Sequence, residues 1–259
     1  MRSSVAAGHD REGARGIIVR GRSEVALRQG LSIRVDIRTP TGSIQMLRVY
    51  SYFRSSAAYR VRIALALKGL SYEYVAVDLA KGEHEESGYG AVAANRLVPS
   101  LVDGEVTLTQ SLAIIEYLEE QHPHPPLLPQ GSGARASVRA LAYDIACEIH
   151  PLNNVRVLRY LRREMKVTSE DKDRWTRHWI ESGLGVIERR LAADRTRGSF
   201  CHGDQPTMAD VVLVPQIFNA HRSGCDLSAC PLVVAVFDRC MALDPFASTQ
   251  PSACPDAVS

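Results

Sequence analysis

Strand-forming sequence in this chain ends at residue 109. Up to that point short runs rich in Val, Tyr, Leu and Thr alternate with helical runs. From Ala134 onward only helix-period patterns remain. A few short strands can build only a small sheet, which must cover its faces with helices. The second half must bury helix against helix. The expected fold is therefore α/β followed by all-α.

Leu47–Tyr52 alternates as a short strand. A helix follows, with Val61, Ala64, Leu65 and Lys68 near one stripe and Ile63 and Leu67 near another. Lys68-Gly69 is a fitting stop, since glycine tolerates the left-handed C-cap. Tyr72–Leu79 reads as a second strand, and polar Ala80–Arg96 as a loop with a short helix. "LVPSLVDGEVTLTQS" reads as strand, Asp103-Gly104 hairpin, strand, and Ser111 opens a helix with Leu112, Ile115 and Leu118 on one face. The order β-α-β, connector, β-β-α predicts one domain over 46–121. His122–Gly133, with Pro at 123, 125, 126 and 129, predicts a linker. A helical domain over 134–259 is expected, with helices Ala134–Cys147, Pro151–Met165, Thr168–Ala193, Thr207–Phe218 and Pro231–Leu243. Trp175, Trp179, Gly183, Val186 and Ile187 form the expected core stripe of the third, and Thr207–Asp210 fits a capping box.

The first 45 residues differ. They hold eight Arg, no Lys and four acidic residues, so they carry +4 and the remainder −2. They lack the apolar core of a secretory signal. The expectation is a disordered extension, or an upstream stretch with the natural start at Met46. A net charge of +2 gives no global pointer to nucleic acid or an anionic membrane. The six cysteines never fall as C-x-x-C and no Cys/His group has zinc-ligand spacing. They read as reduced thiols of a cytoplasmic protein with no metal site.

The stretch with chemical potential is "FRSSAAYRVRIALALKG", Phe53 to Gly69. Ser55 and Ser56 sit where a strand ends and a helix begins. Unpaired N–H groups there favour an anion, and a hydroxyl beside them can donate to a thiolate or carboxylate. One serine serving only as a helix cap is the plainer alternative. Val98-Pro99 precedes the hairpin, where unpaired backbone could take an extended peptide. Gln110-Ser111 begins another helix, a second place for an anion. Together these suit a small thiol peptide with a carboxylate.

The pattern resembles the zeta class of glutathione transferases over about Met46 to Ala257. "YSYFRSSAAYRVRIALALKGL" is similar to the serine-rich signature of that class, and "LVPSLVDGEVTLTQSLAIIEYLEE" to its glutathione-binding half-domain. "HPLNNVRVLRYL", "GDQPTMADVVLVPQIFNAHR" and "ALDPFASTQP" are similar to stretches of its helical domain. The resemblance implies a thioredoxin-like domain, an all-helical domain, a homodimer and glutathione as cofactor. It implies cis–trans isomerisation of maleylacetoacetate to fumarylacetoacetate in tyrosine and phenylalanine breakdown, by reversible thiolate addition to the double bond. Maleylpyruvate isomerisation, transfer or dehalogenation on small α-halo acids, and a non-catalytic glutathione-binding module are the alternatives. Residue by residue, it implies thiol activation by Ser55 beside Ser56, and backbone pairing at Val98 before a cis Pro99. Gln110 and Ser111 would bind the γ-glutamyl carboxylate. Asn95, His150 and Asn154 would complete the glutathione site, and Arg54 and Arg222 would hold the acidic substrate. The sequence departs from the class at Ala57, where many members have Cys, and around Asn95, where Ala94 and Arg96 replace the usual neighbours.

Overall fold

The structure, a computed structural model, describes residues 46–257; the expected N-terminal extension lies outside the described residues. Four strands form one mixed sheet: β1 (Leu47–Ser51), β2 (Tyr72–Ala76), β3 (Ser100–Asp103) and β4 (Val106–Thr109). The spatial order is β2-β1-β3-β4. β1 pairs parallel with β2 and antiparallel with β3, and β3–β4 is the expected hairpin. Helices α1 (Ser56–Leu67), α2 (Ser87–Val92) and α3 (Ser111–Gln121) complete this part. Helices α4 (Ser132–Tyr143), α5 (Val155–Arg163), α6 (Ser169–Ala193), α7 (Met208–Arg222), α8 (Pro231–Met241) and the short α9 (Asp244–Ala247) follow. The expected α/β-then-helical architecture is the observed one.

The departures have local causes. β2 stops at Ala76 rather than Leu79, because Asp78 turns the chain by accepting from Ala80 N–H (2.8 Å) and Lys81 N–H (3.2 Å). The run expected as one helix over Pro151–Met165 is broken at Asn154. A 3₁₀ turn covers His150–Asn153, and the Asn154 side chain then caps α5 through Arg156 N–H at 3.0 Å. α4 starts two residues inside the expected linker and passes into a π-helical turn over Asp144–Ile149. In α6 the buried stripe is Thr176, Ile180, Leu184, Ile187 and Leu191; Val186 is exposed and the two tryptophans are only partly buried. The indole N–H of Trp175 finds a partner at the edge of that stripe, donating to Leu152 O at 2.7 Å. Gly183 serves a close approach, since a β-carbon there would lie 2.4 Å from Ile149 Cγ1. The capping box at Thr207 is present, and Asp210 accepts from Thr207 N–H (2.7 Å) and also from Cys201 N–H (2.8 Å).

α1 is buried from Ala58 to Leu65 without interruption, because α3, α7 and α9 pack against it and its apolar side chains share one core with Leu47, Val49 and Leu101 of the sheet. At its end Lys68 is also buried. Its ammonium donates to Glu119 Oε2 (2.8 Å), His122 O (2.6 Å) and Pro125 O (3.0 Å). Glu119 in turn accepts from Leu127 N–H (2.9 Å) and Leu128 N–H (3.2 Å). One buried ion pair thus pins the Pro-rich connector to both α1 and α3.

Removing one partner of such a pair strands the other charge. Lys68→Met is expected to cost about 3–5 kcal/mol, and Lys68→Met with Glu119→Leu less than the sum of the two single changes. Urea denaturation measures all three, and a wild-type midpoint in Lys68→Met would exclude this pair as a structural tie.

Candidate active site

A cavity of about 920 Å³ opens between the N-terminus of α1, the Asn95–Pro99 loop, the N-terminus of α3 and the segment from Ala146 to Arg159. Its wall brings together every residue singled out from the sequence: Arg54, Ser55, Ser56, Asn95, Val98, Pro99, Gln110, Ser111, His150, Asn154 and Arg222. A smaller cavity of about 220 Å³ shares Arg54, Ser55, Ser56, Asn219 and Arg222 with it. Apolar Phe53, Tyr59, Pro215 and Phe218 and the C-terminal Pro251, Ser252 and Ala257 wall the rest.

The two serines have different surroundings. Ser55 is the N-cap of α1, and its hydroxyl oxygen accepts from Ala58 N–H at 3.2 Å. Capping uses the oxygen as acceptor and leaves the hydroxyl hydrogen free to donate into the cavity. The Ser56 hydroxyl instead donates, over a long 3.4 Å, to Pro215 O on α7. It ties α1 to the helical part.

Val98-Pro99 is cis, as expected, and places Ser100 at the start of β3. Gln110 precedes α3 at φ 72°, a region that side chains other than glycine rarely occupy. Such strain clusters where a chain must present a group to a ligand. Ser111, next to it, is the first residue of α3, where unpaired N–H groups point outward. Its hydroxyl oxygen accepts from Arg60 Nη1 at 3.3 Å. Asn95 closes its own turn, accepting from Leu97 N–H at 3.1 Å.

Arg60 is the main residue that the sequence did not disclose. It is 2% exposed, and neither its Nε nor its Nη2 has a partner among the described residues. Burial pulls its pKa down to about 10, so it stays charged at neutral pH. Beside it, burial first and the Arg60 charge second pull His150 down to about 3. The imidazole is therefore neutral over the physiological range.

The helix expected to end at Phe218 runs four residues further, and Arg222 is the last residue of α7. Asn219 and Asn153 provide its support, and both escaped the sequence reading. Arg222 Nη2 donates to Asn219 Oδ1 (2.6 Å), Asn219 Nδ2 to Asn153 Oδ1 (2.9 Å), and Asn153 Nδ2 to Ile149 O (2.9 Å). This relay aims the guanidinium from a buried anchor. Although Arg222 remains open to the cavity, crowding and then the like charge of Arg54 lower its pKa. Neither arginine forms a salt bridge among the described residues. Arg54 lies over the Phe53 ring, 5.0 Å from its centre.

Among the described residues no group of three His, Cys, Asp or Glu side chains is placed to hold a metal ion. None of the helices is long and apolar enough to cross a membrane. The wall offers a hydroxyl at each of two helix N-termini, a neutral imidazole and four guanidiniums, those of Arg54, Arg60, Arg156 and Arg222, that form no salt bridge among the described residues.

This arrangement has counterparts. Residues 45–120 match the family of the glutathione S-transferase N-terminal domain, and residues 173–242 that of its C-terminal domain. A probable maleylacetoacetate isomerase of Vibrio cholerae is 46% identical over 82% of this chain and 98% of its own. The holo structure of a maleylpyruvate isomerase, a bacterial zeta-class glutathione S-transferase, superposes with a TM-score of 0.80 at 45% identity, covering 82% of this chain and all of that one. The maleylacetoacetate isomerase of Anaeromyxobacter dehalogenans with glutathione in its active site superposes at 0.74 and 45% identity, covering 82% and 98%. With that identity over nearly the whole length of its relatives, this chain belongs to the zeta class of the glutathione S-transferase family.

Proposed function

We propose that the protein is a glutathione-dependent cis–trans isomerase of a small dianionic enedione acid, maleylacetoacetate being the substrate. The observation that carries this reading is the pair Arg54 and Arg222, two guanidiniums without a carboxylate partner, sharing a cavity with Ser55. Two unpaired cations suit two carboxylates, each held by a planar fork. The name of the Vibrio cholerae relative supports the same reaction.

The residues present fit glutathione. The large cavity is of a size that takes a small peptide. The unpartnered donors of buried Arg60 lie behind Ser111, so a carboxylate at the N-terminus of α3 would meet a favourable field. Val98 would pair with the peptide backbone, Gln110 and Ser111 would hold the γ-glutamyl carboxylate, and Asn95, His150 and Asn154 would close the site. When bound, glutathione supplies a thiolate that adds reversibly to the substrate's double bond.

The chain's own part is to hold and to stabilise charge. Ser55 spends its oxygen on the α1 cap and keeps its hydrogen for the sulfur, and the α1 N-terminus adds its partial positive charge. Arg54 and Arg222 fix the acid and stabilise negative charge that develops on it. Ser56 holds α1 against α7, so the Ser55 hydroxyl keeps its place relative to Arg222. Neutral His150 adds no cation to compete for the acid. In this reading residues 46–121 hold glutathione, 122–133 connect, and 134–259 complete the acid site. A cytoplasmic homodimer acting in aromatic amino-acid breakdown completes the proposal. Six free cysteines, with no disulfide among them, fit a reducing compartment.

Maleylpyruvate is the second reading, favoured by the similarity to a structure of that name. The test is incubation with glutathione and each cis acid while enedione absorbance is followed, with halide release from a small α-halo acid in parallel. Isomerisation of neither acid would sink the proposal, and halide release alone would replace it.

Three substitutions examine the roles. Ser55→Ala should lower kcat at least tenfold with glutathione affinity nearly unchanged, since a hydrogen bond to a charged group contributes about 1.5–3 kcal/mol; unchanged turnover at saturating glutathione would reject Ser55 as activator. Ser111→Ala should raise the KM for glutathione and keep most of kcat, as loss of a ground-state anchor does; calorimetry showing wild-type binding would count against it. Arg222→Lys should impair isomerisation nearly as much as Arg222→Ala, because an ammonium cannot reproduce the fork; wild-type kinetics in Arg222→Ala would return that residue to a surface charge.

A further inference from the structure

The C-terminal segment carries one acidic residue that the mechanism above leaves unused. Asp256 lies 203 positions from Phe53, yet its Oδ2 accepts from Phe53 N–H at 3.0 Å. Its Oδ1 accepts from the Tyr74 hydroxyl at 2.6 Å. One carboxylate therefore bridges β2 and the turn that leads from β1 into α1. The carbonyl of Phe53 is held from the other side. Arg62 Nη2 donates to it at 3.4 Å, while Arg62 Nη1 donates to Ser51 Oγ (3.2 Å) and Nε to Thr249 O (3.0 Å). Both backbone groups of Phe53 are thus tied, directly or through Arg62, to the C-terminal segment.

Phe53 immediately precedes Arg54 and Ser55, and its ring lies under the Arg54 guanidinium. The turn is short, closed by Ser55 N–H on Tyr52 O at 2.9 Å. A shift of the Phe53 peptide therefore moves both functional side chains. The same C-terminal segment supplies Pro251, Ser252 and Ala257 to the wall of the 220 Å³ cavity that contains Arg54, Ser55 and Arg222. Asp256 forms no salt bridge with either arginine, so it leaves their charges available to an anion.

We propose that Asp256 is a positioning residue: its carboxylate clamps the Phe53 backbone, aims Arg54 and Ser55, and seats residues 251–257 as the wall that limits the length of acid the smaller cavity accepts. The clamp rests on the isomerase reading for its catalytic consequence, but not for its geometry. A carboxylate suits this place because it offers two acceptor oxygens and no donor, matching one N–H and one phenol. Asparagine can accept from Phe53 N–H through Oδ1 but meets the Tyr74 hydroxyl only by donating from Nδ2, so both charge-assisted bonds are replaced by weaker neutral ones.

The test uses the full chain and four forms: wild type, Asp256→Ala, Asp256→Asn and Tyr74→Phe. Hydrogen exchange on the unliganded protein reads the Phe53–Ser55 amides. Exchange at Phe53 should accelerate at least tenfold in Asp256→Ala, with α7 amides unchanged, and recover in part in Asp256→Asn. Calorimetry should show glutathione binding within about threefold of wild type. kcat/KM for the cis diacid should fall about tenfold in Asp256→Ala and about threefold in Tyr74→Phe. Discrimination between maleylpyruvate and the longer maleylacetoacetate should shift toward the longer acid. Unchanged Phe53 protection in Asp256→Ala overturns the clamp, as does lost protection with unchanged kcat/KM and unchanged discrimination. Should Asp256→Ala unfold as a whole, Tyr74→Phe decides, since it removes one of the two tethers that hold the carboxylate on Phe53; unchanged Phe53 exchange and wild-type kinetics there overturn the proposal. A wild-type protein inactive on both acids would remove the isomerase reading, while the exchange measurement would still decide the clamp.

Discussion

Helix α1 has no solvent face along its middle, and the rest of the molecule is arranged around that constraint. Ala58 to Leu65 are all buried, two arginines included. Arg62 is accommodated because Ser51, Phe53 and Thr249 each give it an acceptor. Such burial needs cover all round, which α3, α7 and α9 supply together with the sheet's core residues Leu47, Val49 and Leu101. It also fixes the helix along its axis. The N-terminus of α1 delivers Ser55 and Ser56 to one cavity wall, while Lys68 beyond its other end anchors the connector. A helix locked at both ends can hold a hydroxyl with the accuracy a reacting sulfur demands.

The second arginine, Arg60, breaks the rule that buried charges are paired. The break is local and lies beside Ser111, Gln110 and His150, three residues of the wall. Violations of polar satisfaction and backbone strain coincide there, because Gln110 also has its unusual positive φ. Buried polar atoms without a hydrogen-bond partner also occur at His84, Asp144 and Gln216 and positive φ at Arg96 and Lys166, but only here do the two kinds of departure meet in the cavity wall beside two further residues singled out from the sequence.

Much of this was legible before the structure. Strand and helix order, the hairpin, the helix start at Ser111 and the capping box at Thr207 follow from neighbours within four residues of each other, and such signals are read locally. All the expected site residues line one cavity because most sit at strand or helix ends, which turn chemistry marks. What was missed depends on distance. Arg60 reads as a surface charge, since nothing in "AYRVRIAL" says that both faces of α1 are covered. The Asn153–Asn219 bond joins residues 66 apart, and Asp256 reaches Phe53 across 203. The Asn154 break was visible only as an asparagine in a helical run, where capping competes with helix continuation. In α6 the stripe expected through Trp175, Trp179 and Gly183 lies one residue out of phase with the buried Thr176, Ile180 and Leu184, and indole N–H groups favour the edge of a core.

The site separates two kinds of positive charge, and that separation carries the division of labour. Arg60 is buried and fixed, so its field acts equally on whatever anion occupies the α3 terminus before and after reaction. Interactions that do not change along the reaction strengthen binding without accelerating chemistry. Arg54 and Arg222 face the smaller cavity from two different parts of the fold, one at the start of α1 and one at the end of α7. Burial first and the Arg54 charge second weaken the cationic form of Arg222 when no anion is present, so an arriving dianion would relieve repulsion there as well as gaining contacts. Charge that moves from the carbon skeleton onto an oxygen of the acid would find those guanidiniums already oriented by the Asn219–Asn153 relay and by the Phe53 ring. Preorganised donors of this kind act most strongly where charge develops. Ala57, also in the wall, contributes only a methyl group where many members of the class carry a thiol. The thiol that the cavity wall does carry is that of Cys147, which is free and exposed.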